Sequence, residues 1–76
     1  MFEPKYNLTF VYSENMSAFN IVHGVMLVMA NAGIAHNILS EYKAECLNAA
    51  HKNDVQIVLR ITGDWVSVIP TAEDKS

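Results

Sequence analysis

Cys46, His23, His36 and His51 are the side chains with atoms suited to nucleophilic or metal chemistry. A thiolate–imidazole pair needs its two groups within hydrogen-bond reach. Only His36 or His51 would have to approach Cys46, and neither stands at a spacing that supports the pair. Cys46 also falls on an apolar helical stripe, which favours a packed, inert thiol. No Cys/His group has the spacing of a zinc site; His23 and His36 facing each other across a helical hairpin is the one arrangement left. There is no glycine-rich phosphate loop. The carboxylates are sparse and sit mostly at positions expected to be exposed, so no acid/base pair stands out. The tripeptides "NLT" and "NMS" match glycosylation acceptors but follow nothing that resembles a secretion signal. The expectation is a chain without catalytic residues, metal or cofactor.

Composition narrows the class further. The chain has 76 residues, one domain's worth. A domain this small buries a modest share of its surface, and such domains usually add disulfides, metals or a second subunit. One cysteine excludes an internal disulfide, so oligomerisation or partner binding is expected, and the 51% hydrophobic content points the same way. The net charge is −3, with Lys43, Lys52 and Arg60 scattered. Without a basic patch, direct nucleic-acid binding through phosphates is not expected. A free thiol suits a reducing, cytoplasmic setting.

These residues must be positioned by a small number of elements. "YNLTFVYS" alternates, with Tyr6, Leu8, Phe10 and Tyr12 on one face and Asn7, Thr9 and Val11 on the other, which predicts a first strand. "SENMS" supplies Ser13, Asn15 or Ser17 as an N-cap for a helix over about Met16–Ala32. Gly33 is its expected stop. A second helix is predicted over about Ile34–Lys52, with Ala35, Ile38, Leu39, Tyr42, Cys46, Ala49 and Ala50 on one stripe. "KND" then breaks it.

"VQIVLRIT-GD-WVSVIP" reads as a hairpin around a Gly-first turn, Gly63-Asp64, with Pro70 ending the pairing. The expected fold is therefore α+β, in the order β-α-α-β-β. A three-stranded antiparallel sheet would be packed on one face by a helical hairpin. Residues 1–70 form the domain, and 71–76 a mobile polar tail.

Between Asn15 and Ser40 no residue carries a formal charge, a run of 26 residues if histidine is neutral. A membrane span needs about 20 predominantly apolar residues. Asn20, His23, Asn31, His36 and Asn37 interrupt this run, and no basic cluster flanks it, so no membrane crossing is expected. As a soluble helix it leaves a narrow polar stripe of Asn20, His23, Leu27 and Asn31, which becomes the candidate dimer contact. The outward sheet face expected from the hairpin carries Val58, Arg60, Trp65 and Ile69, joined by Val11. Trp and Arg are over-represented at interface hot spots, so these five form the candidate partner-binding patch.

The functional expectation is a non-enzymatic protein–protein interaction module, homodimeric, that masks a partner sterically. A small accessory or inhibitor protein of the phage- or plasmid-borne kind is what this size class suggests. A flat aromatic or flavin-like ligand held against Trp65 is the alternative, and a small enzyme of unspecified reaction a further one.

Overall fold

The computed structural model describes residues 4–71. Its elements run β1 (Thr9–Tyr12), α1 (Ala18–Asn31), α2 (His36–His51), α3 (Val55–Gly63) and β2 (Ser67–Pro70). Residues 72–76 of the expected polar tail lie outside the described residues. The two helices predicted from the first half of the chain form as α1 and α2, but α3 packs on both, so the helical layer is three helices and not the expected hairpin alone. Ser17 Oγ accepts the Asn20 N–H at 3.2 Å and caps α1. Gly33 takes φ +88° just beyond its end. The Gly33 N–H bonds to Ala30 O at 3.0 Å and the Ile34 N–H to Met29 O at 3.1 Å, the paired bonds of a Schellman turn. The uncharged run is therefore two helices, and α1 alone spans only about 21 Å. No helix among the described residues is long and apolar enough to cross a membrane.

The α+β class stands, but the three-stranded antiparallel sheet does not form. Residues 55–63 are a helix, and the described sheet has two strands, β1 and β2, which run parallel. Two local causes account for the helix. Asp54 accepts the Ile57 N–H at 3.4 Å and acts as N-cap. Val55, Val58, Leu59 and Thr62 then repeat at helical spacing, and this is the stripe that turns inward. Burial of that stripe outweighs the strand preference of its β-branched residues. Gly63 does not take the positive φ that a type II′ turn requires; it closes α3 instead.

With three helices between them, the two strands must be joined by a crossover, which permits parallel pairing. Thr9 lies beside Ser67, Phe10 beside Val68, Val11 beside Ile69 and Tyr12 beside Pro70. Pro70 is the last paired residue of β2, opposite Tyr12, though its partner strand is β1. The Thr71 N–H and hydroxyl both donate to Tyr12 O, at 2.7 and 2.8 Å. The core lies between the inner sheet face and the helices. Phe10 reaches α1 at Gly24, where a Cβ would come within 2.6 Å of the ring.

The α2–α3 turn is tied to the start of α1. Asn53 adopts φ +53°, and its Oδ1 accepts the Ala18 N–H at 2.9 Å. Asn53→Ala loses both the bond and the left-handed preference and should lower unfolding free energy by about 2 kcal/mol. Asn53→Gly keeps the backbone conformation and should lose about half as much. Urea titrations of the two variants check this; an Asn53→Gly chain as stable as wild type would mean that the bond contributes nothing, and equal losses would mean that the left-handed preference contributes nothing.

Candidate interaction surfaces

Trp65 is not on a surface. The turn after α3 carries it inward, and it is 2% exposed. Its Nε1–H donates to Glu45 Oε1 on α2 at 3.1 Å. Tyr6 stacks on the indole at 6.3 Å between centroids, Tyr42 meets it edge-on at 5.7 Å, and Lys5 Nζ lies 4.0 Å from the ring centroid. The backbone locks the same corner: the Lys5 N–H donates to Asp64 O and the Tyr6 N–H to Trp65 O, each at 2.9 Å. Val58 is fully buried on the inner stripe of α3. The expected patch around Trp65 and Val58 is thus absent as a surface, because the hairpin register that pointed both outward does not exist.

Its other members separate. Val11 and Ile69 are neighbours across the β1–β2 ladder and are 56% and 48% exposed. Arg60 is exposed on the outer side of α3, where it borders a shallow depression with Tyr12, Gln56, Ile57 and Leu59.

The α1 stripe is exposed as one unit. Ala18, Ile21, Val22, Val25 and Met29 turn inward. Asn20, His23, Leu27 and Asn31 face the other way, flanked by Phe19 and Ala30. Phe19 is 47% and Leu27 54% exposed. Where α1 meets α2, a cleft of about 320 Å³ is lined by Phe19, Asn20, Val22, His23, Met26 and Lys43. The Phe19 ring meets His51 edge-on at 5.4 Å. Phe19 opposite His51 and Met26 opposite Lys43 belong to one antiparallel register, set by the turn at Gly33. Lys43 was not among the sequence candidates; it is found only from the antiparallel alignment of the two helices, which sets Met26 near Lys43 as it sets Phe19 against His51.

Of the residues suited to nucleophilic chemistry, Cys46 is buried on α2 beside Tyr42. The Tyr42 hydroxyl lies 2.6 Å from Thr62 Oγ1, linking α2 to α3. Burial pushes the Cys46 thiol above its ordinary 9.0, and neighbouring hydroxyls only partly oppose this. His23, His36 and His51 are all exposed. Among the described residues no three His, Cys, Asp or Glu side chains gather as a metal site.

Searches against protein-family models, curated proteins and solved structures found no match for this chain.

The buried Tyr42 and Cys46 set a pH dependence. Desolvation raises Tyr42 far above its ordinary 10.0, against the lowering effect of the Thr62 bond. The native chain therefore keeps both protons where the unfolded chain releases them. Above about pH 9 the unfolded state binds fewer protons, so stability is complete below that pH and declines above it. Urea melts between pH 7 and 11 should show the decline. Tyr42→Phe, though less stable at pH 7 by about 1–2 kcal/mol, should decline less steeply.

Proposed function

We propose that this chain is a non-catalytic protein-binding module that docks a partner on the outer face of α1. The observation that carries the reading is the exposed, charge-free row Phe19, His23, Leu27 and Ala30, bordered by Asn20 and Asn31. An ordinary surface helix turns a charged face to water. Phe19 and Leu27 contribute little to the monomer while half exposed, and burying each against a partner adds roughly 1–2 kcal/mol. The asparagines and His23 supply hydrogen bonds at the border, and Lys43 a cation at the rim. The fitting partner presents an apolar groove with polar edges, the helix-in-groove mode of recognition. Masking such a groove is how a chain of this size acts as an accessory or inhibitor protein. The buried, unpaired Cys46 supports a reducing, cytoplasmic setting.

The flat-ligand alternative loses the platform it was built on, since Tyr6, Tyr42 and Lys5 already surround Trp65.

Leu27→Glu places a charge at the centre of the row without touching the core. Used as bait in native-cell extract, the wild-type chain should retain a protein that Leu27→Glu loses and Arg60→Ala keeps. Identical captured sets for all three, read by quantitative mass spectrometry, would remove α1 as the docking face.

A further inference from the structure

The two edges of the small sheet are chemically different. The Ser67 N–H donates to Leu8 O at 2.9 Å and the Thr71 N–H to Tyr12 O. Alternate residues of a strand turn their N–H and C=O to the same side. Leu8, Phe10 and Tyr12 therefore serve the β1–β2 ladder, together with Ser67, Ile69 and Thr71. Val68 and Pro70 point to the outer edge of β2, where Pro70 has no N–H to give, a common way of blunting an edge. Thr9 and Val11 point to the outer edge of β1, and no described residue donates to or accepts from their backbone groups. That edge is open.

We propose that the open edge of β1 pairs antiparallel with the same edge of a second copy, giving a twofold dimer with a continuous four-stranded sheet. The edge is self-complementary. In the register that sets Thr9 opposite Val11 of the other copy, the two donors and two acceptors of each chain are all satisfied by four hydrogen bonds. A symmetric contact of this kind is isologous and closes at two subunits.

Charge agrees with the register. Asn7 to Ser13 carry no charge, so two acidic chains meet along a neutral strand. The nearest charges on either side are Lys5 and Glu14. Pairing centred on Phe10 brings the Glu14 end of one copy to the Lys5 end of the other, twice. On the outer face, Val11 and Ile69 of each copy would lie in a single sheet with their mates, which extends an apolar pair into a shared strip. This places the dimer contact on β1 rather than on the Asn20–Asn31 stripe, and leaves α1 free. The inference does not depend on what α1 binds.

Val11→Pro is the decisive variant, because the Val11 N–H serves the open edge and not the β1–β2 ladder. Sedimentation equilibrium of the full chain should give twice the 8.5 kDa monomer mass. Val11→Pro should weaken the dimer roughly 10- to 100-fold, since symmetry removes two of the four bonds. Its Trp65 fluorescence and near-ultraviolet circular dichroism should match wild type, and Leu27→Glu should leave the dimer intact. In wild type, amide exchange at Thr9 and Val11 should slow as concentration rises, a readout that stands even if the proline variant fails to fold. A wild-type chain that stays monomeric at millimolar concentration overturns the proposal and leaves the edge to a foreign strand. So does a dimer that survives Val11→Pro but is split by Leu27→Glu, or exchange at Thr9 and Val11 that is independent of concentration.

Discussion

The indole of Trp65 joins the two ends of the chain. Lys5 and Tyr6 reach it from before β1, Tyr42 and Glu45 from α2, and the turn that delivers it follows α3 directly. Burying a tryptophan removes roughly 200 Å² from water, worth about 5 kcal/mol as an upper figure. A domain of this size has a net stability of about 5–10 kcal/mol. One side chain therefore contributes an amount comparable to the whole margin. Its contacts are also mostly distant in sequence, so the parallel pairing of β1 with β2 and the closure of the helical layer are secured at the same corner. A two-stranded sheet of four-residue strands would not persist in water without such support.

The linkage through Tyr42 extends that corner inward. Tyr42 packs edge-on against Trp65 while its hydroxyl meets Thr62, the only buried polar residue among those described. The Thr62 side chain has its partner, and no described buried side-chain nitrogen or oxygen is left without one. A buried hydroxyl without a partner costs about 1–3 kcal/mol. The pair thus fixes the rotation of α3 about its axis, since turning the helix by one residue would strand both groups. This is the physical reason Val58 faces inward and Arg60 outward.

The parts of the fold legible in the sequence are those set by local chemistry. Ser17, Gly33 and the Leu39–Tyr42–Cys46–Ala49 stripe each act within a few residues, and α1 and α2 follow from them. The last third reads as a hairpin for a reason that is also local. Val55, Ile57, Val58, Ile61 and Thr62 are β-branched, and Gly63-Asp64 imitates a hairpin turn. The opposing signals, Asp54 as a cap and the 55–58–59–62 spacing, were present but carry less weight by composition. Parallel pairing was not legible at all, because it depends on three helices returning the chain to the same end of the sheet. Of the candidate site, Val11 and Ile69 were legible since in–out alternation survives a change of pairing partner. Trp65 and Val58 were not, because their exposure was inferred from a register that never forms.

The distribution of charge separates the surfaces of the molecule. Glu41, Lys43 and Glu45 lie along α2, Lys52 just after it, and Arg60 and Asp64 on and just after α3. None lies on α1 or on either strand. Solubility of a small acidic chain requires charges somewhere, but helix stability alone would place some of them on the outer face of α1. Lys, Glu or Arg would have better helix propensity than Phe19 or His23 and would match that of Leu27, and all three positions are exposed. The β1 edge likewise lacks the charged residue that commonly protects an exposed strand. Folding of the monomer explains the inner residues of α1 and β1 one by one, yet it gives no reason for their neutral outer faces. Two separate neutral surfaces, one a helical row and one a strand edge, fit two different contacts better than a single large one.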